Sequence, residues 1–131
     1  MVVDTSAVMA LLLGEPAAER IDELLSTADT VRMSAATLVE WMIVVESRKG
    51  ADGVIRAERL LRRFDVEIVD VAEPVARLAI DGWRRFGKGR HRAGLNYGDC
   101  FAYALAIEND EPLLYVGTDF AQTDVTSALT A

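Results

Sequence analysis

MVVDTSAV, residues 1–8, places two valines ahead of an acid and a polar pair, Thr5 and Ser6. The β-branched pair closed by Asp4 predicts a short buried strand over Met1–Asp4, with a helix starting at once over Thr5–Leu13. An acid at the exit of a buried strand needs partners, and these must come from distant parts of the chain.

Gly14 breaks the first helical run. Glu15-Pro16 then leads a helical pattern to about Ala28, with Ile21, Leu24 and Leu25 on its apolar side. A second strand is expected over Thr30–Met33, and Ser34 is placed to cap a helix running from Ala35 to about Lys49, where Gly50 stops it. A further helix is expected over Asp52–Phe64, a third strand over Val66–Val71, and a helix from Glu73 to about Phe86. Three glycines make 88–95 a loop. Tyr97–Glu108 reads as a helix and Leu113–Val116 as a fourth strand. Asp124–Leu129 reads as either a short edge strand or coil. Strands separated by helices of this length favour an α/β class with a mainly parallel sheet covered on both faces.

The 131 residues fit a single domain, 1–131, and the 51% hydrophobic content supports a sizeable core. The apolar runs are too short to cross a bilayer, so no membrane association is expected. Asp4 arrives where a secretion leader would still be basic or apolar. Cys100 is the only cysteine, which excludes an internal disulfide and fits a reducing compartment. A cytoplasmic location is therefore expected. Net charge is −7. Residues 84–92, RRFGKGRHR, carry five positive charges and no acid, so the remainder stands at −12.

Four acids stand out by position. Asp4 and Asp119 follow strands, Glu40 interrupts an apolar helix face, and Asp99 lies near the start of a helix. The carboxyl ends of parallel strands open onto one crevice, so these groups can meet there. Like charges gathered in a low-dielectric cleft repel, and a divalent cation is the natural compensation. An all-oxygen donor set favours Mg²⁺ or Mn²⁺. His91 is the only histidine, so neither a histidine-rich metal centre nor a Ser-His-Asp triad is available. Each acid also has a plainer reading: a helix cap for Asp4, a solvent-facing edge for Glu40, helix-end amides for Asp99 and a turn for Asp119.

Four blocks, VVDTSAVMALLLGE, SAATLVEW, LNYGDCFAYALA and LLYVGTDFAQTDV, cover almost the whole chain in order. On them the sequence resembles the PIN-domain ribonucleases, and most closely the VapC-type toxins of bacterial toxin–antitoxin pairs. The resemblance implies a PIN-like three-layer α/β/α fold and metal-dependent hydrolysis of RNA phosphodiesters by an endoribonuclease, with Mg²⁺ or Mn²⁺ as cofactor. It implies that Asp4, Glu40, Asp99 and Asp119 form the acidic, metal-binding catalytic group. Asp4, Asp99 and Asp119 are expected to reach metal directly or through water, and Glu40 to complete coordination or position the attacking water. Thr5, Ser6, Asn96 and Asp124 are its supporting polar residues. Two metals in the reacting complex are the preferred arrangement.

The strip WRRFGKGRHR gives a physical route to RNA through Arg84, Arg85, Lys88, Arg90 and Arg92, since arginines fork onto phosphates and glycines let a loop adjust. Trp83 and Phe86 are candidate base-stacking rings, and Trp83 is equally suited to the core. The resemblance further implies a homodimer, a cognate VapB-type antitoxin that covers an apolar groove, and selected single-stranded positions of tRNA or rRNA as targets. The acids alone do not separate RNA from DNA chemistry. A broader single-strand nuclease and a noncatalytic RNA-binding or protein-interaction module are the competing readings. A phosphorylation-controlled signalling domain lacks the paired acids after the first strand and the late strand-end lysine it would need.

Overall fold

The computed structural model describes residues 1–129; the last two residues of the expected 1–131 domain lie outside it. Four strands, β1 (Val2–Val3), β2 (Arg32–Ser34), β3 (Glu67–Val69) and β4 (Leu113–Leu114), form one sheet in the order β3-β2-β1-β4. All three pairings are parallel. Val2 and Val3 are both fully buried, Val2 with one hydrophobic cluster and Val3 with the other. Successive strand side chains point to opposite faces, so this pair commits the sheet to two-sided burial. Burying one valine fully is worth about 1.5–3 kcal/mol.

Helices α1 (Thr5–Leu13), α2 (Ala18–Thr27) and α3 (Ala35–Arg63) supply Ala7, Ile21, Leu25, Trp41 and Val45 to the cluster around Val3. Helices α4 (Glu73–Phe86) and α5 (Tyr97–Asn109) supply Val75, Ala79 and Leu105 to the cluster around Val2. The result is the three-layer α/β/α arrangement with a mainly parallel sheet.

The strands are shorter than their apolar runs. Val66, Asp70 and Val71 lie outside the ladder of β3, and Tyr115 and Val116 lie beyond β4. Helix α2 starts at Ala18 because Pro16 and Ala17 form a turn, in which Ala18 N–H donates to Glu15 O at 2.9 Å. Thr126 O accepts from Leu113 N–H (2.8 Å) and Ala128 N–H donates to Leu113 O (3.0 Å). The 124–129 stretch thus lies along β4 through a single bridge at Ser127, between the edge-strand and coil alternatives.

Gly50 breaks the helical run as the sequence predicts, so that α3 is two helices meeting at a kink. Its φ of 66° and ψ of −161° interrupt α3 between two helical arms. Arg56 Nη2 ties the second arm to α1 by donating to Leu12 O at 2.8 Å. The first arm starts at Ser34, whose side chain caps it by accepting from Ala36 N–H at 3.2 Å.

Candidate active site

Asp4 leaves β1 in extended geometry and caps α1, its Oδ2 accepting from Ser6 N–H (2.9 Å) and from Ser6 Oγ (2.6 Å). The cap uses one carboxylate oxygen only. Oδ1 is buried and has no hydrogen-bond partner. Ser6 Oγ also accepts from Val116 N–H at 3.0 Å, so one hydroxyl ties the exit of β1 to the chain beyond β4. Burial pushes the Asp4 carboxyl above its ordinary range, and the Glu40 charge adds to the rise against the bonds from Ser6.

Glu40 lies on the first arm of α3 and is half-buried. Its Oε1 accepts from Thr5 Oγ1 at 2.5 Å. Its neighbours Val39 and Ile43 are exposed.

Asp99 occupies the first turn of α5 in a reciprocal cap with Asn96. Asp99 N–H donates to Asn96 Oδ1 (2.9 Å), and Asn96 N–H donates to Asp99 Oδ2 (3.0 Å). Burial raises the Asp99 carboxyl to about 6; the bond from Asn96 opposes this, while the charges of Asp4, Glu40 and Asp119 reinforce it. Asp119 is exposed and leads into a 3-10 turn over Phe120–Gln122. The charges acting on Asp99 therefore come from the other three acids singled out in the sequence.

Asp124 is engaged elsewhere. Arg85 Nη2 reaches it at 3.4 Å, and it faces the Tyr103 hydroxyl. Arg85 also donates to Tyr103 Oη at 3.3 Å and approaches Asp81 at 3.6 Å. This member of the basic strip is thus drawn towards α5 and the 124 segment. Arg84, Lys88, Arg90 and Arg92 are exposed. Arg90 Nε donates to Arg84 O at 3.1 Å, and its guanidinium lies over the Trp83 ring at 4.7 Å. Trp83 is exposed, whereas Phe86 is half-buried against Tyr103 and His91. Lys88 N–H donates to Leu95 O, and Leu95 N–H to Phe86 O, so the loop closes at its base and delivers Asn96 directly to the acids.

Two residues here were missed in reading the sequence. Tyr97, next to the Asn96 cap, is 81% exposed and lines an apolar groove of about 650 Å³ between α4 and α5 with Ile80, Trp83 and Phe101. Gly98 lies against the Glu40 carboxylate. A glycine directly before Asp99, inside a helical pattern, is the only local signal for this contact.

Among the described residues no three acidic, histidine or cysteine side chains converge into a ready-made metal cage. The donor set nevertheless fits a hard divalent cation. Its donors are carboxylate oxygens, two of the carboxyls are pushed towards protonation, and Asp4 Oδ1 is a buried acceptor lacking a partner. Mg²⁺ keeps several waters and needs few protein ligands, so an open set suffices.

Residues 1–125 match the PIN domain family. The chain is 47% identical over 125 residues to a ribonuclease VapC of Mycolicibacterium smegmatis, covering 95% of this chain and 97% of that one. In fold it is similar to the crystal structure of VapC20 of Mycobacterium tuberculosis, a Sarcin-Ricin loop cleaving toxin, with a TM-score of 0.78 at 18% identity and 97% coverage of both chains. It is also similar to a chain of a toxin-antitoxin complex from Klebsiella pneumoniae, with a TM-score of 0.74 at 18% identity, covering 98% of this chain and 96% of that one. With four parallel strands, acids gathered from their carboxyl ends and a near full-length match to a VapC ribonuclease, the chain belongs to the PIN-domain family, as a relative of its VapC toxins.

Proposed function

We propose that this protein is a metal-dependent endoribonuclease of the VapC kind, hydrolysing RNA phosphodiester bonds as a single cytoplasmic domain and neutralised by a cognate VapB-type antitoxin. The observation that carries this reading is the pairing of an unpartnered buried oxygen on Asp4 with an Asp99 carboxyl raised to about 6 by burial and by its acidic neighbours. Such a site pays a standing electrostatic penalty that a cation removes.

Asp4 Oδ1, Asp99, Asp119 and Glu40 are the groups that would hold Mg²⁺ or Mn²⁺. When bound there, the ion supplies charge neutralisation at the phosphate and acidifies water. The chain's own residues do the positioning. Ser6 holds Asp4 by Oδ2 and leaves Oδ1 unbonded, Thr5 holds Glu40, and Asn96 holds Asp99 through its backbone N–H. Glu40, half-buried beside the acids, is the group to orient the attacking water. Arg84, Lys88, Arg90 and Arg92 bind the RNA backbone, with Arg85 supporting that strip from its bonds to Tyr103 and Asp124. Trp83 and Tyr97 offer exposed rings for unpaired bases.

Exposed Val39 and Ile43 beside Glu40, and Ile80, Trp83 and Tyr97 along the α4–α5 groove, supply apolar surface for an antitoxin segment and for a second copy in a homodimer. The structural likeness to a chain of a toxin-antitoxin complex supports the antitoxin. The 47% identity to a VapC ribonuclease supports RNA as substrate, and selected single-stranded positions of tRNA or rRNA are the proposed targets.

The test is cleavage of defined-end RNA with added Mg²⁺ or Mn²⁺, beside a DNA strand of matched sequence. Asp4→Asn and Asp99→Asn, each shown to be folded, are expected to lose at least about a hundredfold in rate. Unchanged cleavage by both variants rejects the site, and equal cleavage of RNA and DNA redirects it to a broader nuclease.

A further inference from the structure

Gly98 stands at a helical position in α5 where nothing about its backbone calls for glycine. Its φ is not positive, and glycine is a poor helix former beside alanine. Its surroundings supply the reason. A Cβ added at residue 98 would overlap Glu40 Oε2 and lie 2.7 Å from Glu40 Cδ and 3.1 Å from Oε1. Nothing else lies among its nearest neighbours; all three atoms belong to that one carboxylate. On its other side the carboxylate accepts from Thr5 Oγ1 at 2.5 Å. It is therefore clasped between a hydroxyl at the start of α1 and a bare Cα at the start of α5, next to Asp99.

We infer that Gly98 is a positioning residue: its missing side chain is the seat that lets Glu40 lie beside Asp99, and Thr5 locks the seat from the opposite side. The inference rests on the reading of Glu40 as part of a cation-binding acidic centre, but the packing claim within it can be tested without metal. Swinging the carboxylate away would lengthen or break the Thr5 bond and remove negative charge from the cation site. Groups that orient metal ligands typically change metal affinity by about 10- to 100-fold when altered.

Four proteins form the test: wild type, Gly98→Ala, Glu40→Ala and the double variant. In metal-free protein, Gly98→Ala is expected to shift Tm by different amounts in the two backgrounds: with Glu40 present the carboxylate must be displaced, losing the Thr5 bond and easing repulsion from Asp99, whereas with alanine at residue 40 only helix propensity remains. With Mn²⁺ titrated by calorimetry, Gly98→Ala is expected to raise Kd about tenfold in the wild-type background and to have no further effect in the Glu40→Ala background. If Gly98→Ala does not fold, recovery of folding in the double variant carries the same conclusion. A Tm change of equal size in both backgrounds overturns the inference, as does a Mn²⁺ Kd unchanged by Gly98→Ala where Glu40→Ala weakens binding. If Glu40→Ala itself leaves Mn²⁺ binding untouched while the Tm effects differ between the two backgrounds as expected, the packing claim stands and the acidic-centre reading fails.

Discussion

Asp4 and Asp99 each split their duties between holding a helix end and facing the other acids. One oxygen of Asp4 caps α1, and one oxygen of Asp99 accepts from the Asn96 backbone. These bonds favour the ionised forms, yet burial outweighs them in both residues, and both carboxyls end above their ordinary range. For Asp99 the native state keeps its proton up to about 6, whereas the unfolded chain releases it near 3.8. The unfolded state therefore binds fewer protons between these values, and metal-free stability falls as pH rises through that window, then levels off. Asp99→Asn removes this contribution. At pH 7.5 without metal, its Tm is expected to exceed that of wild type by about 3 °C, while below pH 4 the two converge. Millimolar Mn²⁺ is expected to stabilise wild type and not the variant. A metal-free variant that melts below wild type at pH 7.5 contradicts the account. The acids themselves were legible because each stands against its surroundings: at a strand exit, inside an apolar face, or at a helix start. Their partners were not. The bond from Thr5 to Glu40 spans 35 positions, and sequence spacing does not show which arginine will be drawn onto Asp124.

Helices were more legible than strands, for a physical reason. Periodicity and caps mark a helix locally, and Ser34 and Gly87 bound theirs as read. A strand exists only as far as its neighbour pairs with it, so apolar residues such as Val66 and Val116 continued the pattern beyond the ladder. Gly50 was legible too. A glycine in a helical run announces a break, and the two arms of α3 meet at a kink there. Here φ is positive with ψ near extended, a combination available essentially to glycine alone. No atom lies near a Cβ built there, so Gly50→Ala isolates the backbone cost from any packing change. It is expected to destabilise by about 1–3 kcal/mol in denaturant unfolding and to leave Mn²⁺ affinity unchanged. Stability equal to wild type would mean that the two arms of α3 can straighten into one helix.

Across the whole molecule, a chain of charge −7 places a positive strip at the end of α4 and in the loop that returns directly to Asn96 and the acids. In the proposed function the two signs serve one substrate. The acids alone repel a polyanion, and the strip offsets that repulsion where the backbone must approach. Arg90 has its guanidinium over Trp83 and its Nε bonded to Arg84 O, which holds the loop against the end of α4. Each phosphate neutralised on a single strand contributes about 0.7 to the slope of log affinity against log salt. Replacing Arg90 and Arg92 by glutamine is expected to raise the Kd for a single-stranded RNA and to flatten that slope by about 1.4. RNA binding is to be measured without divalent ions, so that cleavage does not intrude. Arg59→Gln with Arg62→Gln, on the second arm of α3, removes the same charge from an exposed face outside the loop and is expected to leave the slope in place. If both pairs flatten it equally, net charge governs RNA affinity; if neither does, the loop does not hold the backbone.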